Sequence, residues 1–150
     1  MNEDVRKHLE FIQNTINRIS TNSFQLKGLT ITITSALLAL YASKPNLLFI
    51  VICIPQTLFF WLLDSYYLQQ ERKFRGIYKD AAGLTNNVIT IYEMPLANYK
   101  GGKYGFWSSF FSFSKRLFFG SITLTIIALL IIIELELISK IAHYIKNILG

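Results

Sequence analysis

The sequence predicts an all-α integral membrane protein: an N-terminal amphipathic helix, a transmembrane helical hairpin, a cytoplasmic helix and loop segment, and a third transmembrane helix. Three observations lead there. Of 150 residues, 52% are hydrophobic, more than a soluble domain of this length usually carries. Three runs are free of charge over about the length that a hydrocarbon core demands, roughly 17 to 25 residues. The basic residues gather on one side of those runs, as cytoplasmic flanks do. The chain thus divides into 1–27, an amphipathic oligomerisation helix; 28–64, the hairpin; 65–116, a basic cytoplasmic segment; and 117–150, the third span with its tail.

In the first segment Val5, Leu9, Ile12, Ile16 and Ile19 recur at spacings that alternate between four and three, a heptad seam. Ser23 and Leu26 continue the register, and Asn2 and Ser23 are its polar positions. Such a stripe on a mostly polar helix buries itself against copies of the same helix, against the rest of the protomer, or on the membrane surface. Self-association is the leading reading. The first 28 residues are polar and hold no cleavage site after an apolar core, so a retained N-terminus is expected.

The first span, GLTITITSALLALYAS, runs between Lys27 and Lys44. It is short, and continuation of the preceding helix, with the Lys27 stem reaching back to the interface, brings it to length. Lys44-Pro45-Asn46 is a tight turn that folds the next run back antiparallel. That run, LLFIVICIPQTLFFWLL, ends at Asp64. Pro55 removes a backbone donor in its middle, and with Gln56 marks a packed kink or a pore-lining break. The third run, LFFGSITLTIIALLIII from Leu117 to Ile133, is the clearest. Small residues four apart, Ser35 with Ala39 and Ser121 with Thr125 beside Gly120, are candidate helix-packing positions.

Between spans two and three, helical character persists through DSYYLQQERKFRGIYKDAAG and ends at Gly83. VITIY, from Val88 to Tyr92, reads as a short strand, and MPLANYKGGKYG as loop. The aromatic stretch FWSSFFSFS suits the headgroup region. Ile138, Ile141, Ile145 and Ile148 give the tail an apolar stripe, which either extends the third span or lies along the interface.

Charge sets orientation. Twelve of the fifteen Lys and Arg flank the N-terminal ends of spans one and three and the C-terminal end of span two, leaving Lys44, Lys140 and Lys146 opposite. The N-terminus and central segment are therefore expected in the cytoplasm and the tail outside. This placement accounts for the net charge of +6 without nucleic acid, and makes Arg72, Lys73, Arg75, Lys115 and Arg116 lipid-facing cations on an anionic leaflet.

Catalytic and metal chemistry find no constellation. Gly101-Gly102-Lys103-Tyr104 lacks the leading glycine and the hydroxyl of a phosphate-binding loop. His8, Cys53 and His143 are separated by topology, so neither a zinc site nor a Cys-His nucleophile is expected, and no cofactor. Glu134 and Glu136 sit on different helix faces, and they and Asp64 read as solvated boundary residues.

Two junctions carry a resemblance. Asn22, Ser23, Phe24, Leu26, Lys27 and Gly28 lead into span one within HLEFIQNTINRISTNSFQLKGLTITITSALLALYA, and Trp61 to Arg72, with Ser65 at a variable position, leave span two within FWLLDSYYLQQERKFRGIYKD. These stretches resemble the RipA family of octameric bacterial membrane proteins; the rest matches in character only. The resemblance implies an octamer-like homo-oligomer in the bacterial cytoplasmic membrane, without catalytic activity, serving adaptation to an environment such as a host interior. Two classes follow: a scaffold whose basic rim meets lipid or a protein, or a ring that conducts or perturbs the membrane in defence. Thr30, Thr34, Gln56, Thr123 and Thr125 form only a thin polar lining, which favours the scaffold over the channel; an enzyme comes third.

Overall fold

The computed structural model describes residues 3–149. It is helical, with no strand among the described residues: α1 Glu3–Ser43, α2 Leu47–Ala81, α3 Phe106–Phe110 and α4 Phe113–Leu149, with 3-10 turns at Leu96–Asn98 and Gly102–Tyr104. Three of the helices, α1, α2 and α4, are long and apolar enough to cross a membrane.

The amphipathic segment and the first span form one helix, because nothing from Thr21 to Leu29 breaks it; Gly28 sits in open space and costs only about 1 kcal/mol of propensity. Pro45 ends α1, and the Asn46 side chain caps α2 by accepting from the Leu48 amide at 3.0 Å. An Asn in this role satisfies one of the amides that a helix start leaves bare. Pro55 lies inside α2 without ending it. At the far end the chain leaves through Ala82 and Gly83, whose φ of +69° lets the last turn close on Asp80 and Lys79 carbonyls.

The two long helices run antiparallel: Ile12 and Ile16 meet Ile77, Lys27 meets Asp64, and Thr34 meets Gln56. Helix α4 runs antiparallel to α2, from Lys115 beside Asp64 to Ile126, which packs on Ile50 and Cys53 with Leu130 and Ile133. The chain therefore has three levels. In the middle lie 28–43, 47–63 and 117–133, about 25 Å tall at 1.5 Å per residue. On one side the N-terminal half of α1, the end of α2 and residues 82–112 form a head around Ile12, Ile16, Ile77 and Tyr99. On the other side, residues 134–148 continue α4 alone for about 22 Å, exposed throughout.

The strand expected at Val88 to Tyr92 is absent. Alternating β-branched residues need a partner ladder, and none is at hand; Tyr92 instead takes φ 68° beside the His8 ring, 5.7 Å away, while Ile89 packs into the head core.

Candidate functional site

The ends of the three spans that meet the head converge on one carboxylate. Asp64, the last residue of the second apolar run, is 0% exposed. Its Oδ1 accepts from the Ser23 hydroxyl, and its Oδ2 is paired with Lys27 at 3.0 Å and with Lys115. The Ser23 hydroxyl in turn accepts from Lys27 at 3.0 Å and from Lys115 at 3.3 Å. Helices α1, α2 and α4 are thereby tied at one point, where the membrane level meets the head. A buried carboxylate needs such partners, because an unpaired charge out of water is strongly unfavourable. Two ammoniums on one carboxylate leave a local charge of +1.

This corrects two expectations. Lys115 is not lipid-facing: its side chain is 4% exposed and faces Asp64. Nor is Asp64 a solvated boundary residue. One signal was available: Lys27 precedes span one, Asp64 follows span two and Lys115 precedes span three, so a three-span topology puts one acid and two bases at the same level. An aromatic stack lies one helical turn from the cluster, three residues before Asp64 on α2 and four after Lys115 on α4. The Trp61 ring lies on Phe110 at 4.5 Å and on Phe119 at 5.9 Å, and its indole N–H donates to the Phe110 carbonyl at 3.1 Å.

The head closes on a second carboxylate. Asp80 accepts from Thr85 and from the Tyr99 hydroxyl, each at 2.5 Å, and from Asn87 at 3.1 Å, clamping the loop after α2 onto the helix end. Burial pushes its carboxyl upward, but the bonds from Thr85, Tyr99 and Asn87 and the charge of Lys103 outweigh this and hold it below the usual value. Tyr99 moves the other way, since burial and then the Asp80 carboxylate disfavour its phenolate.

The other residues singled out by sequence fall as follows. Ile12 and Ile16, the centre of the N-terminal seam, are covered by the chain's own head; Val5, Leu9 and Ile19 are half-buried, and Asn2 lies outside the described residues. Ser35 from α1 and Ser121 and Thr125 from α4 line one groove of about 190 Å³, together with Thr34, Leu38 and Ile122. Ala39 and Gly120 do not line it, and no small residue brings the two backbones together. Gln56 accepts from Thr34 at 3.1 Å, with its amide nitrogen and the Thr57 hydroxyl buried and without a partner among the described residues, while Pro55 is exposed. Thr123 and Thr125 bond to carbonyls of their own helix. Arg72 is tied to the loop rather than free, donating to the Lys103 carbonyl at 3.0 Å and to Ser108 at 3.1 Å. Arg75 pairs with Glu71 at 2.8 Å, Lys73 is half-buried, and Arg116 is exposed. His8, Cys53 and His143 stand in the head, the membrane level and the tail. Comparison with family models, curated proteins and solved structures gives no match for this chain.

Proposed function

We propose that this chain is a non-catalytic protein of the bacterial cytoplasmic membrane that assembles with copies of itself through α4, holding a basic head in the cytoplasm as a scaffold. The observation that carries the reading is the unpartnered face of α4. Leu124, Ile127, Ile131, Ile138, Ile141, Ile145 and Ile148 follow one heptad register and all are exposed, broken only by Glu134. Below Ile133 this stripe leaves the protomer altogether. A lone helix of that length is marginal in water, and its apolar seam is stabilised when it meets its equal. In a membrane every copy has the same orientation and depth, so the stripes emerge parallel and in register.

The resemblance to the RipA family supports homo-oligomers, octamer-like, in the bacterial cytoplasmic membrane, with a role in environmental or host adaptation. The excess of basic residues on the head side supports a head in the cytoplasm, with the exposed Arg116 beside the span end placed to meet anionic lipid. A conducting ring is less well supported, because Thr34 and Gln56 bond to each other between α1 and α2 of one chain and Thr30 is fully buried, its hydroxyl donating to the Leu26 carbonyl, so none of the three is offered to a path between copies.

Cysteine cross-linking in native membranes tests the reading. With Cys53 replaced by Ala, Ile141→Cys and Ile145→Cys are expected to form covalent dimers under mild oxidation, and His143→Cys, on the opposite helix face, is not. Equal cross-linking at all three positions, or none, overturns it.

A further inference from the structure

The head carries a basic cleft that self-association does not use. It measures about 330 Å³ and lies between α1, α2 and the turn Gly102–Tyr104, at the lower end of the size of small-molecule sites. Arg72, Arg75 and Lys79, spaced three and four apart, share one face of α2. Lys103 joins them from the turn after Gly101 and Gly102, whose φ values of +67° and +48° turn the chain where other residues are strained. Tyr78 and Tyr104 complete the walls.

The charges are poorly balanced. Four cations line the cleft, and the adjacent carboxylate, Glu71, is engaged by Arg75 through both Nε and Nη2 at 2.8 Å. Asp80, outside the cleft, takes its hydrogen bonds from Thr85, Asn87 and Tyr99 and offsets part of the Lys103 charge at longer range, which leaves Arg72 and Lys79 without a carboxylate among the described residues. From α1 the cleft receives only Gln13 and Ile16, both neutral. Arg72 is held in place by bonds that leave from Nη1, and among the described residues its Nε and Nη2 donors have no acceptor, which leaves them for another one. A fixed guanidinium with an unspent edge, two lysines and phenol hydroxyls form a set suited to phosphate oxygens.

We infer that this cleft binds a phosphate-bearing small molecule, its phosphate oxygens held by Arg72, Arg75, Lys79 and Lys103. Height separates the two sources of such a phosphate. Arg72, Arg75 and Lys79 follow Asp64 by about 12, 16 and 22 Å along α2 at 1.5 Å per residue. The headgroup layer is only about 5–7 Å deep on each side. The cleft therefore stands in the aqueous phase and takes a soluble phosphate compound in preference to a lipid headgroup.

The test is calorimetric titration of the full chain in nanodiscs of phosphatidylcholine alone, with pyrophosphate and ATP as probes. Binding is expected, with Lys79→Ala and Arg75→Ala each weakening it at least about tenfold. Lys100→Ala removes the same charge from an exposed site outside the cleft and is expected to change it less than about twofold. Circular dichroism confirms that each variant keeps its helices, and Lys103→Ala serves where one does not. No binding of either probe, or equal weakening by Lys100→Ala, overturns the inference. So does a result in which only nanodiscs containing anionic phospholipid stabilise the protein in a Lys79-dependent way, since that marks a headgroup site. Each readout holds whether or not the chain self-associates.

Discussion

Replacing Asp64 by Asn removes the one carboxylate that holds Lys27 and Lys115 together while changing the side chain's shape little. Both ammoniums lie against the same Oδ2, so they stand within about 5 Å of each other, and at an effective dielectric of about 20 their repulsion is about 3 kcal/mol. Lys27, with 23% of its side chain exposed, can swing toward water. Lys115, at 4%, has no such route. Removing one partner of a buried ion pair typically costs about 3–5 kcal/mol, and we expect Asp64→Asn in that range, a large share of the roughly 5–15 kcal/mol a folded protein has. Lys115→Met added to Asp64→Asn should recover most of the loss, because an apolar side chain of similar length needs no counter-charge there. The assay is denaturant unfolding in detergent micelles followed by tryptophan fluorescence, since Trp61 stacks on Phe110 beside the cluster and loses that contact when the three helices part. An Asp64→Asn variant within about 0.5 kcal/mol of the parent, or a double variant no more stable than the single, would refute the account of the cluster as the tie between the spans.

Three further outcomes follow from the head and from α1. Ile16→Ala is expected to destabilise the head by about 2–5 kcal/mol, as a buried core truncation does, measured by hydrogen exchange of the amides around Ile77. Gly76→Ala should destabilise, because its Cβ would stand 2.6 Å from Tyr99 and 2.8 Å from the Tyr104 hydroxyl, whereas Gly28→Ala, in open space within α1, should stabilise by up to about 1 kcal/mol; melting temperatures moving in opposite directions check the pair. Asp80 has a carboxyl held below its ordinary value of 3.8, so its contribution is fully present above that pH and is lost as pH falls through the lower folded value. The excess acid sensitivity of the parent over Asp80→Asn, read from unfolding midpoints between about pH 5 and 2, measures it.

The three long helices were legible because hydropathy is a local property: each run announces itself within its own residues, and Gly83 and Asn46 mark helix ends by chemistry that acts over one turn. The charge cluster was not, since Lys27, Asp64 and Lys115 lie far apart in sequence and only the helical topology brings them level. Counting Lys115 among the flanking cations read its charge correctly and its direction wrongly, because a flank count ignores which face of α4 the residue occupies. The N-terminal seam showed a real apolar stripe, yet periodicity cannot name the surface that covers it. Ile12 and Ile16 find that surface on Ile77 and Tyr99 of the same chain. The isoleucine stripe of the tail has the same spacing and no such cover. Val88 to Tyr92 misled for a related reason: alternation signals a strand only where a neighbouring strand exists to pair with it.

Self-association through α4 is tested most directly by native mass spectrometry of the full chain released from lipid nanodiscs, beside an Ile141→Glu, Ile145→Glu variant. The account predicts a parent mass of two or more copies of the 17.3 kDa chain, and a variant shifted to smaller species with its helix content intact. A parent that flies as a single 17.3 kDa chain, or a variant whose assembly is unchanged, would contradict it.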